Sequence, residues 1–327
     1  MKKGTLLLLL LVVVLGIAVY WFKSKPWRSS AHTAEAFAVK DTSAVTRIFM
    51  ANKNGGKVLL ERQPSNVWMV NGKVAADHTK INLLLTTLHD LQVKMPVTES
   101  MHNTAMAILG SSGIKCEVYA GADLVKTIYI GSETPDKEGT FMILEGEDQP
   151  YIIQQPGFIG FLTPRFHTSE VKWQSKLIFN TPAYDIKKLQ VSYPQMPNES
   201  FMIEASMVQT NLDTQAVKVL LNSFEGLYAE GFYEEAVFTK KERDSLYQRT
   251  PYCMIEITTN ANKIHKVVFY EKPVGDRTKD RYDENLQERT IDPEKFFAKI
   301  EGTNLVASVQ EYAFRRVLRK KSDLVKR

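Results

Sequence analysis

The apolar positions of this chain fall into three patterns, and the first is the plainest. Residues 5–22, TLLLLLLVVVLGIAVYWF, run for eighteen positions without a charge. As a helix rising about 1.5 Å per residue they would cover roughly 27 Å, close to the hydrocarbon thickness of a thin bilayer. Tyr20, Trp21 and Phe22 close the run with side chains suited to the membrane interface. The predicted element is one transmembrane helix. A cleaved leader is the competing expectation, because Lys2 and Lys3 supply a basic start. Against it, the apolar run exceeds the about 7–15 residues of a leader's core and continues into Lys23 and Pro26, not into a small-x-small cleavage site.

The second pattern is a diverged internal repeat. INLLLTTLHDLQVK (81–94) overlays VKVLLNSFEGLYAE (217–230) without a gap, so Leu84, Leu85, Leu88 and Leu91 meet Leu220, Leu221, Phe224 and Leu227. Spacings of three and four place each set on one helix face. KCEVYAGADLVKTIYI (115–130) likewise overlays MIEITTNANKIHKVVF (254–269). Both alternate apolar and polar residues on either side of a polar turn, Ala120-Gly121-Ala122-Asp123 or Asn260-Ala261-Asn262, which predicts two hairpins. AVTRIFM (44–50) and KVLLER (57–62) open the first copy, and DIKKLQV (185–191) and SFMIEA (200–205) open the second. The offsets of 141 to 143, 136 and 139 residues keep one order throughout: hairpin, amphipathic helix, hairpin. A helix with one apolar face needs a layer to cover it. The predicted fold class is therefore α+β, with two repeats, each a mostly antiparallel sheet covered by an amphipathic helix.

The third pattern lies between and after the copies. Residues 154–182 are unusually apolar for a connector, with Phe158, Ile159, Phe161, Leu162 and Phe166 between the breakers Pro156-Gly157 and Pro164. Free in water they would form a sticky patch, so Phe158, Ile159, Phe161 and the nearby Trp173 are expected to serve in interdomain packing or docking. In 303–321, TNLVASVQEYAFRRVLRKK, Val306, Val309, Ala313 and Val317 form a stripe that predicts a last helix with Asn304 as N-cap. The expected domains are an anchor (1–28), a first repeat (38–153), the connector (154–182), a second repeat (183–300) and a C-terminal helix with a basic tail (301–327). Residues 272–290 are polar and charged and read as a long loop around Gly275-Asp276.

Charge refines this layout. The chain carries a net +5, yet residues 1–28 hold five basic groups and residues 315–327 a net six, which leaves residues 29–314 at −6. An acidic body with basic ends does not describe a nucleic-acid-binding surface. Arg315, Arg316, Arg319, Lys320 and Lys321 are candidates for contact with lipid phosphates or an acidic partner, against the plainer expectation of a solvated helix end. Two cysteines, Cys116 and Cys253, exclude a disulfide-dense scaffold. Both fall in predicted strands, where a buried thiol is ordinary.

Reactive constellations do not emerge. The six histidines, His32, His78, His89, His102, His167 and His265, make no HxH or HExxH pattern, so no metal site is expected. GxSxG, GxxxxGK[ST] and GxGxxG are absent, and Asn54-Gly55-Gly56-Lys57 reads as a hairpin turn and not as an anion nest. Neither catalysis nor a cofactor is expected, and no small-molecule substrate suggests itself.

The succession AVTRIFM, VLLER, VWMVNGK (67–73), INLLLTTL, KTIYIGSETPDKEGTFMIL (126–144), ERDSLYQRTPY (242–252) and LVASVQEYAFRRVL (305–318) resembles a family of uncharacterised, membrane-anchored envelope domains of Bacteroidetes and related bacteria. Relatives of those domains accompany or fuse to auxiliary subunits of gliding-motility-type ABC transport systems. The resemblance implies a single-pass anchor in the bacterial inner membrane, an extracytoplasmic (periplasmic) body and association with a membrane protein complex. It implies no catalytic residues. Local charge alone leans the other way, since Lys23, Lys25 and Arg28 outnumber Lys2 and Lys3. The expected role is a non-catalytic accessory or scaffold protein of an envelope complex. The alternative is a glycan- or lipid-binding module drawing on Trp68, Tyr151 and Trp173.

Overall fold

The computed structural model of the protein describes residues 35–204, 211–276, 278–303 and 305–326. The predicted anchor at 5–22 and the predicted cap Asn304 lie outside the described residues. Among the described residues no helix is long and apolar enough to cross a membrane. The chain divides into two units, with the boundary between Trp173 and Gln174.

In the first unit, the glycines at 55 and 56 turn β1 (Arg47–Asn52) back on β2 (Lys57–Arg62), and the Asn52 side chain accepts the N–H groups of Asn54 and Gly56. Gly55 has φ +83°, the left-handed backbone that glycine adopts freely. Short strands β3 (Trp68–Val70) and β4 (Val74–Ala75) extend the edge. Asp77 then caps α1 (His78–Asp90), accepting the N–H groups of Thr79 and Lys80. After it come β5 (Gln92–Pro96), α2 (Glu99–Ser112) and the strands β6 (Ile114–Ala120), β7 (Asp123–Glu133), β8 (Thr140–Leu144) and β9 (Tyr151–Gln154). The sheet order is β4-β3-β2-β1-β6-β7-β8-β9-β5, with every neighbouring pair antiparallel.

Both faces of this sheet are covered. Ile81, Leu84, Leu85 and Leu88 of α1 pack with Ile48, Met50, Val58, Leu60, Val118 and Ile128. Ala105 of α2 packs with Val97 and Phe141, backed by Met101 and Ile108. Phe141 and its neighbour Met142 fall in different clusters, as expected for adjacent strand residues that point to opposite faces. The sequence pattern predicts one helix per sheet, and the structure adds a second. Its apolar positions are smaller and fewer, so its periodic signal is weak.

The second unit repeats the plan. After α3 (Glu170–Trp173), which closes the first unit, β10 (Leu177–Phe179) leads into β11 (Ile186–Ser192) and β12 (Phe201–Glu204). Asp213 caps α4 (Thr214–Asn222) through the N–H groups of Gln215 and Ala216. Then follow β13 (Leu227–Tyr228), β14 (Gly231–Phe232), α5 (Lys240–Gln248), β15 (Cys253–Thr259), β16 (Ile264–Pro273), β17 (Ile291–Ile300), β18 (Val306–Gln310) and α6 (Glu311–Phe314). The main sheet reads β12-β11-β15-β16-β17-β18-β14, while β10 and β13 pair separately. Strand for strand, this is the order of β2-β1-β6-β7-β8-β9-β5. Leu220 and Phe224 fill the main core, and Leu246 of α5 joins Tyr270, Phe297 and Val306 on the other face.

Three expectations need correction. The predicted helix at 303–321 is replaced by β18, the single turn α6 and irregular chain. Val306–Val309 are all buried because both sheet faces are covered, and such a continuously buried run has no period that separates strand from helix. The helix expected to extend through Leu227 ends at Asn222, and Gly226 at φ +62° turns the chain instead. Finally, the connector is no separate segment. Leu162, Phe166 and Trp173 sit in the first core, whereas Ile178 and Phe179 sit in the second.

Candidate functional site

The chain leaves β9 through a loop whose breakers set its shape. Gly157 (φ +78°) and Gly160 (φ +137°) bracket Phe158 and Ile159, and the Phe158 N–H donates to the Gln155 carbonyl at 3.1 Å. Phe158 is 40% exposed and Ile159 90%. The loop is braced from behind. The Arg165 guanidinium lies 4.2 Å from the Phe158 ring centroid and donates to Thr87 Oγ1 at 2.8 Å and to Gln155 Oε1. Gln155 Nε2 donates to Asp90 at 3.2 Å. Beyond the tip, Leu162 is buried, its N–H donating to Thr140 Oγ1 at 2.7 Å.

Of the four residues expected to dock or pack, only Phe158 and Ile159 stand out from the surface. Phe161 is half-buried. Trp173 is a core residue of the first unit, 1% exposed, with Nε1 donating to the His167 carbonyl at 2.8 Å. The aromatic set suggested for a ligand groove is likewise engaged in packing. Trp68 is buried beneath the Arg62 guanidinium, and Tyr151 meets Phe37 edge to face.

The basic residues near the C-terminus are spread out. Arg315 lies over the Tyr312 ring at 4.6 Å and 3.8 Å from Glu311, while Arg316 donates to the Glu225 carbonyl at 3.2 Å. Together with Tyr228 and Tyr312 these two arginines line an open hollow. Arg319 offers its carbonyl to the Tyr193 hydroxyl at 3.0 Å, and Lys320 and Lys321 open a short turn capped by Asp323.

A polar cleft of about 520 Å³ in the second unit has no counterpart among the sequence expectations. Asp292 of β17 is its pivot, with a side chain only 2% exposed. Lys272 Nζ stands 2.8 Å from its Oδ2, Thr278 Oγ1 donates to the same oxygen at 2.9 Å, and the Glu294 N–H donates to Oδ1 at 3.0 Å. Burial alone would raise this carboxyl's pKa, but those donors outweigh it and hold the group below the usual range. Three residues along the strand, Lys295 pairs with Glu230 at 2.7 Å, and Ser308 Oγ donates to Glu230 at 3.0 Å. Glu230 is lowered by the same balance of burial against hydrogen bonds, and its hydrogen bond raises Lys295. Each cation thus already faces a carboxylate. The arrangement fixes the 274–290 loop to the sheet and offers polar groups beside Phe232 and Tyr233. Its signal in the sequence is faint, one Asp in a strand of otherwise apolar core positions.

The two thiols and one histidine serve packing. Cys116 and Cys253 are fully buried in β6 and β15, and burial pushes each thiol up to about 12. His265 is part-buried with Nε2 2.6 Å from the Ile178 carbonyl, and burial lowers its pKa. Among the described residues no group of three or more His, Cys, Asp or Glu side chains is placed to hold a metal ion.

Comparison with known proteins yields one family. The profile of a domain of unknown function (DUF4340) matches residues 68–250, slightly more than half of the chain, from β3 of the first unit to just before β15 of the second. No curated protein and no solved structure matches the chain.

Proposed function

The chain belongs to the DUF4340 family, and we propose that it is a membrane-anchored, non-catalytic accessory or scaffold protein of a bacterial cell-envelope complex. Residues 5–22 anchor it in the inner membrane, the body stands on the periplasmic side, and the partner complex is of the ABC transport type. The envelope setting and the transport association draw on the motif resemblance, which is finer than the family match. One observation carries the scaffold role: the same seven-strand order occurs twice, each sheet sealed on both faces by its own helices. We take the two units as diverged copies of one duplicated element. Such a body holds a surface at a set distance from the bilayer, and the tether raises its effective concentration for a membrane partner.

Fractionation and cross-linking in native membranes test this role. The expected outcome is a chain that resists alkaline extraction from the inner membrane and gives a discrete adduct with a membrane protein. A soluble chain lacking its apolar N-terminal segment, or no adduct beyond self-cross-links, overturns it.

The polar cleft favours a second reading, an extracytoplasmic glycan-binding module. Phe232 and Tyr233 beside Lys272, Lys295, Asp292 and Ser308 combine aromatic surface with converging polar groups. A rise in melting temperature with neutral oligosaccharides that Lys295→Ala abolishes would favour it over the scaffold.

A further inference from the structure

Two features of the first unit meet at the C-terminal end of α1. One is the point where the described chain begins. Glu35–Phe37 form a turn, the Val39 N–H donates to the Leu88 carbonyl at 2.8 Å, and Phe37 and Val39 are buried. Lys126 Nζ holds this segment by donating to the carbonyls of Ala36 and, at 2.9 Å, Ala38. Lys40 lies close enough to Asp90 to help lower its pKa, after the hydrogen bonds from His89 and Gln155. The other feature is the Phe158–Ile159 tip, tied to the same helix end through Arg165 to Thr87 and Gln155 to Asp90. Strand pairing agrees, since Gln92, two residues past the helix, sits opposite Gln154.

Twelve residues, 23–34, separate the apolar segment from this point. Fully extended they reach at most about 40 Å. The loop carrying the most exposed apolar side chain of the described residues therefore lies beside the point from which residues 23–34 lead back to the apolar segment. Resting on the anchor proposed above, we infer that the Phe158–Ile159 tip seats in the interfacial layer of the membrane that tethers the chain. Two apolar side chains alone hold a protein at a membrane only marginally, as even a single acyl chain does. A covalent tether removes that limit, because the tip meets the surface at high local concentration. The loop is shaped for insertion. Its glycines present Ile159 outward, and Arg165 backs the Phe158 ring, so entering the interface orders nothing new.

The test places an environment-sensitive fluorophore on full-length Ile159→Cys, with Val67→Cys as the control. Cys116 and Cys253 are 0% exposed, which leaves the introduced thiol as the reactive one. Val67 is 46% exposed beside β3, which is hydrogen-bonded next to the N-terminal end of α1. That end lies about 14–18 Å along the helix axis from the tip's attachment at Thr87 and Asp90. Each protein is reconstituted into vesicles of phosphatidylethanolamine and phosphatidylglycerol, floated, and titrated with brominated acyl chains. The expected result is co-flotation, with blue-shifted and bromine-quenched emission at 159 and water-like emission at 67. Failure to float overturns the anchor and the insertion together. Flotation with water-like emission at 159, or equal shifts at both sites, overturns the insertion alone. A shift at 159 seen in native membranes but not in lipid vesicles also overturns it and assigns the tip to a protein partner.

Discussion

The two units share a strand order but differ in what closes them. In the first, the second sheet face is sealed by small and aliphatic side chains, Val97, Ala105, Met101 and Ile108, around the single ring of Phe141. In the second, the same face holds an aromatic cluster of Tyr233, Phe238, Tyr247, Tyr270 and Phe297. Their loops are fixed by different chemistry as well. The first unit binds its returning segment with hydrogen bonds in which no cation meets a carboxylate: Leu162 N–H to Thr140, Thr163 Oγ1 to the Gly131 carbonyl at 2.7 Å, Arg165 to Thr87 and Gln155 to Asp90. The second closes its long loop with the buried Asp292, which pairs with Lys272 across the two flanking strands and accepts from Thr278 within the loop. One topology thus accepts either closure, because the topology depends on the alternation within strands and not on any particular side chain beyond it.

Core deletions at matched positions should break the comparison hardest. Leu88 and Phe224 are both 0% exposed and occupy corresponding places in the two copies. Leu88→Ala should cost about 2–5 kcal/mol and Phe224→Ala about 3–5 kcal/mol. All four tryptophans lie at or before residue 173, and Trp68 and Trp173 are buried in the first core. In a Trp21→Phe, Trp27→Phe background, tryptophan emission therefore reports the first unit alone. If the units unfold independently, Leu88→Ala lowers the midpoint seen by tryptophan by about 10 °C, while Phe224→Ala leaves it in place and shifts only the circular dichroism transition. Coincident shifts for both variants would show a single cooperative body.

Removing Asp292 comes next. Asp292→Ala leaves the Lys272 ammonium, 17% exposed, without its carboxylate, at a cost of about 3 kcal/mol. The double variant Lys272→Met, Asp292→Leu should recover most of that loss, because replacing both charges removes the stranded cation. Denaturant titration of both variants checks this. A double variant as unstable as the single one would mean that the Thr278 and Glu294 contacts, and not the ion pair, hold the loop.

Acid should then separate the units. The Asp292 carboxyl is held below its ordinary 3.8, so its contribution is complete above that value and is lost as pH falls through the lower folded value. Glu230 behaves alike from its ordinary 4.5. The lowered carboxyls of the first unit, Asp41, Asp90, Glu117 and Asp136, are all more exposed than Asp292 and contribute less than it does. The second unit should accordingly melt at lower temperature below about pH 4, while the tryptophan-reported transition moves little. Asp292→Asn should flatten that difference.

How much of this is legible in the sequence depends on where the period is clean. The helix His78–Asp90 follows from apolar spacings of three and four, and the hairpins turning at Gly121 and Asn260–Asn262 and the buried cysteines follow from alternation and turn residues. The strand at 306–310 reads as a helix because both its faces are buried, which erases the period. The second helix of each unit escapes notice for a related reason: Ala105 and Leu246 are few buried positions among polar ones. At the candidate sites, the breakers mark the loop, but the apolar character of Phe158 and Ile159 points to cover and not to the exposure they have. Trp173 and the Asp292 pair depend on long-range packing that local spacing does not carry.

The smallest effect is also the sharpest test of common descent. Asp77 and Asp213 stand 136 residues apart, the offset that aligns the two helices, and each accepts the backbone N–H groups two and three residues ahead. Replacing either by Ala should cost about 1 kcal/mol, within the usual 0.5–2 kcal/mol for a cap. The surroundings differ: the Asp77 N–H donates to the Trp173 carbonyl at 2.7 Å, and the Asp213 N–H to the Leu324 carbonyl at 2.7 Å. Both caps thus also pin a distant segment by the same backbone group, which the Ala substitutions leave intact. Equal losses in denaturant titrations of Asp77→Ala and Asp213→Ala would mean that cap and helix act as one unit kept in both copies. A loss at Asp213 well above that at Asp77 would show that α4, nine residues against thirteen, depends on its cap where α1 depends on its buried face.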